Sequence, residues 1–153
     1  KKAEGGYVAM VAPFLLPQTH PLYSVSGVFN AIFVHGNVLG DAMFYGSGAG
    51  KLPTASAVVS DVVDIAKHLD VNIAVEWSSR KLELVDYKSL KNRYFVRTTA
   101  EKAAVEQAFG SVEYVTAEGV TGELGFLTEC MSEADYEKCA AQLDVVLQMI
   151  RVA

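Results

Sequence analysis

The alternation of apolar and polar residues divides the chain into a strand-rich beginning, one long helix, a charged connector and a compact mixed region. Tyr7 to Leu16 is an apolar stretch with prolines at 13 and 17, a pattern for an extended or edge segment rather than a helix. "HPLYSVSGVFNAIFVHGNVLGDAMFYG" reads as β structure. Within it, Ile32 to His35 and Val38 to Tyr45 flank Gly36-Asn37, a pair suited to the positive φ of a two-residue hairpin with one polar and one buried face. The stretch "YGSGAGKLPTASAVVSDVVDIAKHL", Tyr45 to Leu69, follows. At about 100° per residue it places Ala55, Val58, Val59, Val62, Ile65, Ala66 and Leu69 on one stripe, with Ser56, Ser60, Asp64 and Lys67 opposite. Pro53 and Thr54 suit the helix entrance. A helix of about 16 residues is roughly 24 Å long, enough to cover a small sheet.

From Asp70 to Lys91 the pattern weakens and charges accumulate, which marks a connector. Beyond it, Arg93 to Thr98 reads as a strand. Thr98 with Glu101 has the spacing of a capping box, and Ala104, Val105, Ala108 and Phe109 form an apolar stripe that Gly110 ends. Val112 to Ala117 and Glu123 to Thr128 are strands around "EGVTG". Ser132 and Asp135 open a second helix with Tyr136, Cys139, Ala140 and Leu143 inward, and "DVVLQMIRV" is a last strand. The order β-α-β-β-α-β within about 60 residues is the ferredoxin-like split βαβ arrangement. The fold class is therefore α+β, a β-hairpin sheet covered by a helix and followed by a two-layer βαββαβ domain.

With 51% hydrophobic and 20% charged residues, the 153-residue chain has ample material for a core. A net charge of −5, with no basic run, argues against a nucleic-acid partner. The apolar runs are broken well short of the roughly 20 residues of a bilayer span, so a soluble, cytoplasmic protein without a membrane partner is expected. Cys130 and Cys139 have no CxxC spacing and no nearby histidines; two buried thiols in a reducing compartment are expected, with no metal site and no disulfide framework. The start, "KKAEGGYVAM", lacks an initiator methionine and a signal core, which points to a piece of a longer protein.

The junction at Tyr45 to Leu52 is the candidate for chemistry. Glycines leave the backbone bare, and a helix start offers unpaired N–H groups, so the loop either holds an anion or planar ligand or needs glycine for shape alone. It is not a P-loop, because Tyr45 stands five residues before Gly50 and Leu52 occupies the Ser/Thr position. No GxGxxG follows a strand. His20 reads as a turn or packing residue, His35 as a solvent-facing strand residue, Asp61 and Asp64 as solvated helix carboxylates, and Trp77 as a packing anchor in the connector.

The run from His20 to Ala66, "HPLYSVSGVFNAIFVHGNVLGDAMFYGSGAGKLPTASAVVSDVVDIA", resembles the closing part of the catalytic domain of homoserine dehydrogenases, whose pattern is HPLxxVxGVxNAxxVxGxxxGxxxxYGxGAGxxPTAxAVxxDV. The terminal βαββαβ unit resembles the ACT regulatory domain carried by many bacterial members. The resemblance divides the chain into residues 1–90, the C-terminal part of the catalytic and dimerisation domain, and residues 91–153, the ACT-like domain. It implies a parent enzyme that interconverts L-homoserine and L-aspartate 4-semialdehyde with NADP or NAD, at the branch point toward threonine, isoleucine and methionine. It also implies that Gly50, the last glycine of GAG, lies against the nicotinamide cofactor, where a Cβ would intrude.

The family's own Rossmann domain, proton-moving lysine and acidic residues lie upstream of the matched run, and neither Lys1 nor Lys2 sits in that motif. No catalytic residue is assigned, no cofactor is expected on this chain alone, and the chain alone is expected to be inactive. The apolar "GVFNAIFV" and "DAMFYG" predict a homodimer. ACT effector sites use a DxPG-type turn where this chain reads "RTTAEKAAVEQAFG", so amino-acid binding by that loop is in doubt, and threonine is the effector to test. The competing reading is a stand-alone ACT-type amino-acid sensor or interaction module without catalysis.

Overall fold

The first sixteen residues and the last seventy-four fold together: a computed structural model separates Lys1–Leu16 with Arg80–Ala153 from Pro17–Ser79. The structure describes residues 1–71 and 74–153, so positions 72 and 73 of the connector lie outside the described residues. Chain order runs β1 (Lys2–Ala3), β2 (Gly6–Tyr7), β3 (Phe14–Leu15), β4 (Phe29–Gly36), β5 (Gly40–Ser47), α1 (Lys51–Lys67), β6 (Lys91–Thr98), α2 (Lys102–Phe109), β7 (Val112–Val115), β8 (Leu124–Thr128), β9 (Met131–Ser132), α3 (Glu133–Ala140) and β10 (Val146–Val152). Short 3-10 turns span Pro21–Ser24 and Tyr87–Ser89.

In the unit Pro17–Ser79, β4 and β5 form an antiparallel hairpin in register from Phe29↔Ser47 to Gly36↔Gly40. The loop between them holds Asn37, Val38 and Leu39, not the expected Gly36-Asn37 pair. A three-residue loop needs one left-handed position at its end, and Gly40 supplies it with φ +78°. Nor does the hairpin present one polar face, because Ile32 and Phe44 pair on one side and Phe33 and Met43 on the other.

α1 begins at Lys51, earlier than Pro53-Thr54 implies. Pro53 falls in the first turn, where its missing N–H has no intrahelical acceptor to lose. The expected cover of the hairpin by this helix is not formed. α1 buries no residue, and Val58, Val59, Val62 and Ile65 are each more than half exposed. A two-stranded ribbon is too narrow to bury a 17-residue helix stripe.

In the other unit, the sheet order is β3-β10-β6-β8-β7, with β9 on the end of β6. β3 joins as the expected edge segment, pairing parallel to β10 (Phe14↔Arg151, Leu15↔Val152), and the remaining pairs are antiparallel. β6 alternates strictly: Tyr94, Val96 and Thr98 are buried, and Arg93, Phe95 and Arg97 face the opposite side. Tyr94, Val96 and Phe126 form the core with Val105 and Phe109 of α2, Tyr136 of α3 and Leu143. Phe109 meets Phe126 edge-on at 5.2 Å, and Tyr94 meets Tyr136 at 4.8 Å. Each such side chain contributes about 1.5–3 kcal/mol by leaving water, so this unit carries most of the chain's stability.

Two local expectations change. Thr98 does not cap α2: Glu101 is the N-cap without a side-chain bond, and Thr98, fully buried as the last strand residue, accepts from the Ala100 N–H at 3.0 Å and donates to the Val145 carbonyl. Cys130 is exposed rather than buried, since it sits in the turn between β8 and β9, while Cys139 is half-buried; both are free thiols. Ser132 caps α3 as expected, accepting from the Asp135 N–H at 3.1 Å, and Gly110 stops α2 with φ +72°. Among the described residues no helix is long and apolar enough to cross a membrane.

Candidate functional site

β5 delivers the chain to Ser47 and α1 begins at Lys51, so the three residues between, Gly48, Ala49 and Gly50, turn a strand into a helix within one step. The two flanking glycines are needed for different reasons. A Cβ on Gly48 would collide with Nδ2 of Asn30, which reaches across from β4. At Gly50 the constraint is in the dihedrals: φ is +115° and ψ 157°, a conformation L side chains rarely adopt. A Cβ there would make only ordinary contact with Pro53, 3.5 Å away, so the space over this peptide is open.

Gly50 is the N-cap of α1, and its carbonyl accepts the Thr54 N–H at 3.2 Å. The N–H groups of Lys51 and Leu52 have no acceptor inside the helix, and Pro53 has none to offer. The junction therefore presents two amides, the positive end of a helix and an exposed lysine beside bare backbone. This chemistry fits a phosphate-bearing planar ligand held by main-chain contact. Asn30, which shapes Gly48, was missed as a site residue; its signal was the Asn-Ala pair inside the quoted motif.

The other candidates are placed elsewhere. His20 caps the turn at Pro21–Ser24, its Nδ1 accepting the Leu22 N–H at 3.1 Å, and its ring lies 5.3 Å from that of Phe33. His35 Nδ1 sits 2.5 Å from Asp41 Oδ1 near the exposed hairpin tip. His68 Nδ1 lies 2.8 Å from the Asp64 carbonyl oxygen at the end of α1, and Asp61 is exposed on the same helix. Trp77, expected to anchor packing, is 88% exposed. Among the described residues no three His, Cys, Asp or Glu side chains gather as metal ligands.

Residues 2–63 match the family model for homoserine dehydrogenase, a span that contains Asn30, the hairpin and the glycine junction. A homoserine dehydrogenase of Lactococcus lactis is 38% identical over 125 residues, covering 80% of this chain and 29% of the relative. That of Neisseria gonorrhoeae is 28% identical over 167 residues, covering 95% of this chain and 38% of the relative. A crystal structure of a homoserine dehydrogenase from Thiobacillus denitrificans superposes with a TM-score of 0.75 at 25% identity, covering 100% of this chain and 40% of that one. The S. aureus enzyme at pH 7.0 superposes at 0.64 over 92% of this chain and 36% of its own, also at 25% identity. The chain thus spans 29% and 38% of the length of the two curated relatives.

Proposed function

We propose that this chain, a relative of the homoserine dehydrogenases in sequence and in fold, is the C-terminal part of such an enzyme, cytoplasmic and working with NADP or NAD. The parent would interconvert L-homoserine and L-aspartate 4-semialdehyde on the route to threonine, isoleucine and methionine. The observation that carries this reading is Gly50: a residue with φ +115° at the mouth of α1, with open space above it, inside the span that matches the family. The nicotinamide coenzyme supplies hydride transfer, and its binding belongs mainly to a Rossmann domain of the same protein. The part played by this chain is to let the dinucleotide approach bare peptide at Gly50 and to direct the Lys51 and Leu52 amides toward it.

Residues 1–90 are read as the closing piece of the catalytic and dimerisation domain, and residues 91–153 as an ACT-like regulatory domain. The antiparallel order β10-β6-β8-β7, generated by a βαββαβ chain, supports the ferredoxin-like arrangement for the second. The unburied stripe of α1 and the two apolar hairpin faces support a homodimer. Threonine is the effector proposed for the regulatory part by fold analogy, although the Ala100 N–H in the β6–α2 loop is already taken by Thr98.

The test is Gly50→Ala in the full-length enzyme. A side chain forced to φ +115° costs about 1–3 kcal/mol locally, so the KM for coenzyme is expected to rise about 10- to 100-fold with the homoserine KM little changed. Unaltered coenzyme kinetics would refute the assignment.

A further inference from the structure

We propose that Asn30 is a coenzyme-binding residue, whose carboxamide Nδ2 donates a hydrogen bond to the nicotinamide dinucleotide at the glycine junction. This rests on the reading of Gly50 as the point of coenzyme approach, and adds to it a side chain from the other strand of the hairpin.

The glycine at 48 is accounted for by Asn30. Gly48 has no positive φ, so its φ does not demand glycine. The three atoms nearest to a Cβ built there all belong to Asn30: Nδ2 in outright overlap, Cγ at 3.1 Å and Cβ at 3.6 Å. A methyl at 48 would therefore take the place of the carboxamide. The strand partner of Asn30 is Gly46, where a Cβ would meet nothing within 4 Å. No side chain opposes Asn30 across the hairpin, and its amide lies over bare backbone.

This seat weakens the hairpin it belongs to. Asparagine is disfavoured in strands, and a glycine inside a strand lowers its stability and often marks the close approach of a ligand. Asn30 returns nothing to the fold for this: it is exposed, and its carboxamide makes no hydrogen bond to another described residue. A polar group kept in place by two glycines, yet serving no group of its own chain, has its N–H groups available to a molecule resting on the same bare peptide. Asn30 is neutral, so its bond complements the Lys51 and Leu52 amides without adding charge.

The experiment is isothermal titration of NADP, and of NAD in parallel, into the full-length enzyme without homoserine, which reads binding in the absence of turnover. Thermal midpoints of the coenzyme-free protein are measured beside it. Asn30→Ala removes the amide, Asn30→Asp keeps its shape without an N–H, and Gly48→Ala evicts it from its seat. Each is expected to weaken coenzyme binding about 3- to 10-fold with unchanged midpoints. Asn30→Ala with Gly48→Ala should bind no more weakly than the weaker single variant, because both changes remove one and the same bond. Coenzyme binding like the parent's in Asn30→Ala or Asn30→Asp, or losses that add in the double variant, would overturn the proposal. Gly50→Ala in the same titration separates the two levels. Weakening at Gly50 with none at Asn30 refutes the role of Asn30 alone, and no weakening at Gly50 refutes the underlying reading together with it.

Discussion

Arg151 of β10 and Glu133 at the start of α3 form a forked ion pair, with Nη2 2.6 Å from both carboxylate oxygens and Nε 3.0 Å from Oε2. The side chains are 12% and 8% exposed, and the carboxylate also faces the positive end of its own helix. Removing one partner strands a buried charge. Arg151→Met is therefore expected to cost about 3–5 kcal/mol, and Arg151→Met with Glu133→Leu to recover most of it, as read by urea denaturation. A single variant within about 1 kcal/mol of the parent would show the pair to be neutral.

Thr98 and Glu101 separate two accounts of how α2 starts. With Thr98 Oγ1 joining the Ala100 N–H to the Val145 carbonyl, Thr98→Val removes both bonds at a fully buried position and should cost about 1–3 kcal/mol. Glu101→Ala removes no cap bond and should stay within about 0.5 kcal/mol. A large loss at Glu101 with a small one at Thr98 would restore the capping box.

Burial, with the neighbouring Tyr94 and Glu133 adding to it, pushes the Tyr136 hydroxyl up to about 12 from an ordinary 10.0. The neutral phenol is thus favoured by folding. Its contribution is fully present below pH 10 and is lost as the pH climbs from 10 toward 12, by on the order of 2–3 kcal/mol. Tyr94, also raised by burial, acts with the same sign. Denaturation curves across this alkaline window should flatten in Tyr136→Phe; an identical slope in the variant would remove Tyr136 as the cause.

The bare stripe of α1 gives a contrast between two contexts. Val62 is 58% exposed, so Val62→Ser should change the stability of this chain by less than about 0.5 kcal/mol. If the helix is covered in the full-length dimer, the same change there should cost about 1 kcal/mol or more and weaken association measured by light scattering. Equal small effects in both contexts would argue that the stripe stays in water.

The readable parts of the sequence were those where local chemistry and tertiary packing agree. The Val105 and Phe109 stripe met the core, Ser132 capped its helix, and Gly110 ended the previous one. Gly40 was hidden because Gly36-Asn37 is the stronger two-residue signal, yet the strand register sets the loop one residue longer. Thr98 was hidden because its spacing to Glu101 imitates a cap while its side chain belongs to the sheet interior. The Glu133–Arg151 pair, separated by most of the final helix and strand, has no local signature at all. At the candidate site, the glycines were legible as bare backbone, but the demand on Gly48 comes from Asn30, on the opposite strand of the hairpin.

The short parallel pairing of Phe14–Leu15 with Arg151–Val152, continued by the Ala153 N–H donating to the Leu15 carbonyl, has a topological outcome. The polypeptide leaves its stable core after Leu16, makes the glycine junction, and re-enters the same core at Arg80. The intervening excursion is moored at both ends. A protease nick between them would leave two fragments clasped through β3 and β10 instead of shedding one of them.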